Sequence, residues 1–185
     1  MSEILELINV SLTYQSEIKE TEAVKDLSFK VLESEFVSII GPSGCGKTSV
    51  LSMIAGLLPI TSGRILYKGV DIKRVSSGVS YMLQRDELFP WRSIIKNVYL
   101  PLEIKNIKEK SAFLRANELI DKYGLNDFTK ALPSELSGGM RQRVALIRTL
   151  SSNPDVLLLD EPFSALDYQT RLNVCDDVYK IIKSE

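Results

Sequence analysis

Polar and apolar residues alternate through much of residues 4–36, most clearly in Asp26-Leu27-Ser28-Phe29-Lys30-Val31. A period of two predicts short strands joined by polar turns, and hence an antiparallel β layer. Val37-Ser38-Ile39-Ile40 is a short apolar run that enters a glycine cluster, and residues 48–56 then change to a helical period through Val50, Leu51 and Ile54. The expected order there is buried strand, loop, helix. Residues 63–69 and 78–83 read as two more strands. Residues 94–123 are helix-rich, charged on one side and apolar at Phe113, Leu114, Ala116, Leu119 and Ile120. Residues 86–135 are taken as a helical insertion, and a helix at 139–150 extends that lobe to about residue 150. Asn153-Pro154-Asp155 then leads into Val156-Leu157-Leu158-Leu159, a wholly apolar run expected to be a strand covered on both faces. A last helix is expected at 168–182. With no repeat and no low-complexity linker, the order points to one α/β domain over residues 1–185, with a β layer in front and a helical lobe inserted.

Three segments carry chemistry. Gly41-Pro42-Ser43-Gly44-Cys45-Gly46-Lys47-Thr48 fits G-x-x-x-x-G-K-[ST] between a predicted strand and a predicted helix. Glycines let successive N–H groups turn inward on a phosphate, the helix N-terminus adds partial positive charge, and the Lys47 ammonium reaches the β- and γ-phosphates. Thr48 offers its hydroxyl to Mg²⁺, and Ser49 follows in the same site. The second segment, Asp160-Glu161-Pro162, sets two carboxylates at the end of a buried strand, where open α/β sheets bind ligands. Asp160 suits the metal, and Glu161 suits the water that attacks the γ-phosphate in line. Taken alone, the pair reads equally well as solvated acids before a turn. Third, Ser137 is a good N-cap for the helix opened by Gly138-Gly139-Met140-Arg141-Gln142, a second helix start able to meet an anion. Its plain alternative is an ordinary cap with a solvated basic face of Arg141, Arg143 and Arg148.

Composition narrows the field. The 185 residues are 44% apolar and 25% charged, enough to bury a core. Lys plus Arg (23) nearly balances Asp plus Glu (24), which argues against a nucleic-acid partner and leaves phosphate recognition to local structure. Cys45 and Cys175 are too few and too distant for a disulfide framework or a metal knuckle. The N-terminal residues lack the basic start and apolar run of a signal peptide, and no window is long enough to cross a bilayer. Histidine is absent, which removes the commonest general base from the available mechanisms.

Ser137-Gly138-Gly139-Met140-Arg141-Gln142 closely resembles the signature motif of the ABC ATPases, and the other motifs agree with that family in order and spacing over nearly the whole chain. The resemblance implies a P-loop NTPase core of ABC type that binds and hydrolyses MgATP to drive a transporter. It implies that Ser137, Gly138 and Gly139, with Met140 and Gln142, meet the γ-phosphate held by a second copy, so that the working unit is a head-to-tail homodimer. Gln84 falls at the Q-loop position, where it senses the γ-phosphate and metal; by its residue type alone it merely ends a strand. Ser164-Ala165-Leu166-Asp167 matches the D-loop, which makes Asp167 a contact to the opposite subunit. Tyr14 resembles the aromatic that stacks on adenine, although as one of seven tyrosines it fits a core equally well.

The same resemblance implies that Phe89, Pro90 and Trp91 receive a transmembrane permease subunit; packing within the helical lobe is the alternative. The wording there is most similar to the nitrate, sulfonate and taurine importer group, which implies a peripheral protein on the cytoplasmic face of the membrane. Members of the family run on into a further strand that ends in a histidine touching the γ-phosphate, and this sequence has none. The expectation is therefore a C-terminally truncated ATPase. Its rival is an ATP-binding module that dimerises on ATP without efficient hydrolysis. A soluble ABC protein of ribosomes or DNA would call for a tandem unit, a coiled-coil insertion or a basic stripe, and none is seen.

Overall fold

The computed structural model describes residues 2–15, 19–162 and 171, and it divides into two compact units, Met1–Val79 and Ser80–Glu185. The D-loop with Asp167, the helix expected at 168–182 and Cys175 lie outside the described residues.

In the first unit, strands β1 (Glu3–Gln15), β2 (Glu20–Leu32), β3 (Ser62–Tyr67) and β4 (Val70–Asp71) form one antiparallel sheet in the order β2-β1-β3-β4. The antiparallel layer is as expected, but residues 4–36 form two strands of 13 residues each in place of several short ones. The reason is bulging. Asn9 and Asp26 take φ of 48° and 44°, the β1–β2 register shifts between Leu7 and Val10, and the alternation restarts there. A period that breaks and restarts reads in sequence as a turn. Ser28 Oγ accepts from the Asn9 N–H at 2.8 Å and Ser11 Oγ from the Asp26 N–H at 2.9 Å, which satisfies the backbone freed by the bulge. Leu5, Leu7, Val10, Leu12 and Ile65 fill the core of this unit with Val50, Met53 and Ile54 of helix α1 (Lys47–Ile54).

The bulge also explains Gly63. At φ 87° a Cβ on this residue would run into the backbone of Asn9 and Ile8. Gly63→Ala is expected to destabilise the layer by about 2 kcal/mol or more, combining left-handed strain with a backbone clash. A urea melt measures it; a midpoint equal to the parent's would mean that the bulge yields instead.

Residues 37–40 do not form the buried strand expected before the glycine cluster. Residues 35–42 make no regular element, and Ile40 is 91% exposed. An apolar run becomes a strand only when a neighbour completes its ladder, and among the described residues no sheet includes it.

The second unit holds most of β5 (Val79–Met82), which pairs with β6 (Val156–Leu159), and the helices α2 (Ile94–Ile104), α3 (Lys110–Lys122) and α4 (Gly138–Leu150) lie between them in sequence. Each arises where the periodicity placed it. One cluster joins them: Ile94, Val98 and Leu102 of α2, Ala116 and Ile120 of α3, and Val144, Leu146 and Ile147 of α4 are buried together. β6 is less covered than expected, since only Leu158 is buried and its neighbours are half-buried. Among the described residues no helix is long and apolar enough to cross a membrane.

Candidate functional site

In the first unit the glycine-rich loop runs straight into α1. Gly46 sits at the helix N-cap with φ 95°, and no side chain caps the helix. The first helical bond is Val50 N–H to Gly46 O at 2.9 Å. The earlier N–H groups of such a helix are the donors an anion takes up. A Cβ at Gly46 would lie 2.6 Å from Ala23 O, so only glycine lets the loop pass this close to β2. Gly44 also has positive φ, 80°, at the tip of the loop. Lys47 Nζ donates to Gly41 O and Pro42 O, both at 2.9 Å, which folds the ammonium over the loop. Pro42, Ser43, Cys45 and Thr48 are exposed, and the half-exposed Tyr14 reaches the same helix start through a 3.0 Å hydroxyl contact with Ser49 Oγ.

In the second unit the paired strands bring two distant residues together. Gln84 lies two residues past β5 and Glu161 two past β6, and Gln84 Nε2 donates to Glu161 Oε2 at 3.0 Å. Glu161 takes φ 44° ahead of Pro162 and is exposed. Asp160 is buried; its N–H donates to Met82 O at 3.0 Å and its Oδ2 accepts from the Tyr81 hydroxyl at 3.2 Å. The two acids thus differ, Asp160 buried and held by Tyr81, Glu161 exposed. In the first unit Thr48 offers a hydroxyl, and in the second Gln84 and Asp160 offer amide and carboxylate oxygens, donors of the hard kind that Mg²⁺ takes. Among the described residues no three acidic or thiol groups cluster.

Ser137 caps α4 as expected, its Oγ accepting from Met140 N–H at 3.3 Å. Ser137 and Gly138 are exposed, Gly139 and Met140 half-buried, and Gln142 is buried with no partner for its Oε1. The arginines do not form a solvated face. Arg141 Nε pairs with Asp86 Oδ2 at 3.0 Å while its Nη1 donates to Leu136 O at 2.8 Å. Arg148 donates to Asp86 O and Glu87 O, both at 2.7 Å. Burial pulls the pKa of this guanidinium below its ordinary value, opposed by the Asp86 and Glu87 carboxylates.

The Phe89-Pro90-Trp91 loop is exposed, with Trp91 at 74% and its ring stacked on Phe89 at 5.1 Å. Its shape comes from Asn97, which is fully buried. Asn97 Oδ1 accepts from Phe89 N–H at 2.8 Å, and Nδ2 donates to Phe89 O, Arg92 O and Ser93 O at 3.2, 2.9 and 3.2 Å. Arg92 also makes a two-oxygen pair with Glu103 at 2.7 Å.

The family model described as ABC transporter matches residues 24–164. The uncharacterized ABC transporter ATP-binding protein YtlC of Bacillus subtilis is 48% identical over 97% of this chain and 69% of its own length. The chain belongs to the ABC transporter ATP-binding family. The taurine import ATP-binding protein TauB of Rhizobium johnstonii is 45% identical over 83% of this chain and 58% of its own. Among solved structures, the dimeric ATP-binding cassette MJ0796 in a post-hydrolysis state, bound to ADP and Pi, superposes with a TM-score of 0.87 at 30% identity. It covers 98% of this chain and 84% of that one.

Within this ABC-family chain four residues emerge that motif reading did not single out: Tyr81, Asp86, Asn97 and Arg148. Each acts through a partner remote in sequence or through backbone atoms, and neither leaves a spacing signal. Asn97 alone had a local cue, an amide in the first turn of a helix behind a proline-tryptophan loop.

Proposed function

We propose that this chain binds MgATP and hydrolyses it as one half of a head-to-tail homodimer on the cytoplasmic face of a membrane. There it drives separate transmembrane permease subunits that import a solute of the nitrate, sulfonate or taurine type. In this reading residues 1–185 form a single ATPase domain with residues 86–150 as its helical subdomain. The observation that carries it is the Gln84–Glu161 hydrogen bond, which joins two side chains 77 residues apart that the family resemblance assigns to one γ-phosphate chemistry. The glycine cradle at 41–46 and the uncapped start of α1 supply the anion site that such chemistry needs. Relatives named for taurine, nitrate and aliphatic-sulfonate import support the solute class, and the dimeric cassette supports the pair.

The residue roles follow from chemistry. Gly41, Ser43, Gly44, Cys45 and Gly46 wrap the β-phosphate with backbone N–H groups, Pro42 shapes the turn between them without a donor of its own, Lys47 neutralises the β- and γ-oxygens, and Thr48 and Ser49 continue the contact from α1. Tyr14 stacks on adenine. Mg²⁺, held by Thr48, Gln84 and Asp160, supplies charge neutralisation on the phosphates. Glu161 orients the attacking water and takes its proton. Ser137, Gly138 and Gly139, with Met140 and Gln142 behind them, serve the nucleotide of the second copy, and Asp167 touches that copy. Phe89, Pro90 and Trp91 dock the permease.

ATP turnover measured against chain concentration tests this. A rate that rises more steeply than concentration is expected of a dimeric ATPase. ATP bound without turnover would replace the reading with a module that dimerises on nucleotide, and no ATP binding would end it.

A further inference from the structure

Residues 86–89 are held at every position. The Asp86 carboxylate lies on Arg141, its carbonyl and that of Glu87 lie on Arg148, Leu88 N–H donates to Asp86 Oδ1 at 3.3 Å, and Phe89 is held by Asn97. Glu87 takes φ 44° within this grip. Gln84 and Arg85, just before it, are exposed and lie outside the grip. The segment therefore has a root fixed on α4, and Gln84, on its β5 side, is held by its side chain to Glu161 alone among the described residues.

Both guanidinium groups belong to α4. Arg141 and Arg148 are seven residues apart, two turns or about 10 Å on one face of the helix. Arg141 spans two elements at once, because its second bond goes to Leu136 O, the residue before the Ser137 cap. Arg148 binds two consecutive carbonyl oxygens from separate nitrogens, Nη1 and Nη2, a rigid planar fork that the single flexible ammonium of a lysine holds less firmly. Two packed elements joined this way shift together or not at all, which is how small displacements are passed on in a close-packed protein.

We infer that Arg148, assisted by Arg141, is a positioning residue: it locks the root of the Gln84 segment to α4, so that a movement of Gln84 displaces the Ser137–Gly139 turn in step. The inference rests on the proposed function for the role of Gln84, while the lock itself is a property of this unit. Arg148 touches no nucleotide in this scheme; it acts through the backbone of Asp86 and Glu87.

The test compares the parent chain with Arg148→Met, which keeps the apolar stem, and Arg148→Lys, which keeps the charge, by amide hydrogen exchange and by ATP turnover. In the parent, the Leu88 and Phe89 amides are expected to exchange in step with those of the first turn of α4. In Arg148→Met they are expected to exchange at least about tenfold faster while α4 is unchanged. Turnover is expected to show kcat reduced about tenfold with KM within about twofold, a split that loss of nucleotide binding would not give, with kcat referred to the folded fraction measured by circular dichroism. Arg148→Lys should recover only part of kcat. Unchanged exchange at Leu88 and Phe89, or unchanged kcat in a folded Arg148→Met chain, would overturn the inference. A parent chain that binds ATP without turnover counts against the proposed hydrolysis alone, and the exchange experiment then decides the lock by itself. Should Arg148→Met fail to fold, Asp86→Asn and Arg141→Gln break the partly exposed side of the lock and are read in the same way.

Discussion

Replacing Glu161 with glutamine is expected to stop phosphate release almost completely while leaving ATP bound. The side chain is exposed, reaches Gln84 Nε2 at 3.0 Å, and is the second of two acids at the strand end, the first being committed to Tyr81 and buried. Glutamine keeps the length and an acceptor oxygen for Gln84, so the geometry survives. What it loses is basicity. Removal of a positioned general base lowers rates by about 10² to 10⁴-fold. Phosphate release under single-turnover conditions, with nucleotide binding followed separately, measures both arms. Equal rates in parent and variant would assign proton removal elsewhere. Glu161→Gly is a useful companion, because relief of the left-handed backbone at φ 44° should stabilise the chain slightly while abolishing turnover.

Asn97→Leu carries the second large effect, and it concerns stability. Asn97 is fully buried and makes four hydrogen bonds to the backbone of residues 89–93. Leucine fits the volume but strands the Phe89 N–H and the Arg92 carbonyl, while Phe89 O and Ser93 O keep their backbone donors, Arg92 N–H and Asn97 N–H. Unpaired buried backbone groups cost about 1–3 kcal/mol each, although an exposed loop can turn some of them to water, so a net loss of about 2–4 kcal/mol is expected. Trp91 is the only tryptophan, which makes its emission a direct report on this loop. A urea titration followed by Trp91 emission and by far-ultraviolet circular dichroism should show the tryptophan transition moving to lower urea ahead of the helices. A coincident, unshifted pair of transitions would mean that residues 89–93 hold their shape without Asn97. The variant also bears on the proposed permease docking, since the stacked presentation of Phe89 and Trp91 is expected to last only while the loop beneath them is fixed.

Much of the site was legible because its signals are local. Gly44 and Gly46 permit the positive φ that the loop takes at both, and the Ser137 cap reaches only three residues along the chain to Met140. Helices α2, α3 and α4 follow from periodicity within single segments; of the apolar positions it picks out on α3, Ala116, Leu119 and Ile120 join the common cluster and Phe113 packs on it, whereas Leu114 is exposed. The strand expected at residues 37–40 did not follow, for a reason of the same kind: four apolar residues state that a strand would be buried and say nothing of which ladder would receive them. A bulge and a turn interrupt alternation in the same way, so residues 4–36 suggest several short strands where the structure has the long β1 and β2.

The sequence by itself determined the chemical inventory: a phosphate cradle, a lysine, two acids at a strand end, a capped glycine turn, and no histidine. Residue type and short spacing suffice for these, because φ preferences, caps and helical faces act over a few residues. Only the tertiary structure decided which acid is buried and which is presented, that Gln84 meets Glu161 across 77 residues, and that Arg148 grips a backbone 61 and 62 residues away. Those pairings are fixed by strand neighbours and by the burial of α4 against its lobe. A buried guanidinium takes whichever carbonyl oxygens the fold brings to it, and backbone oxygens are the same in every residue.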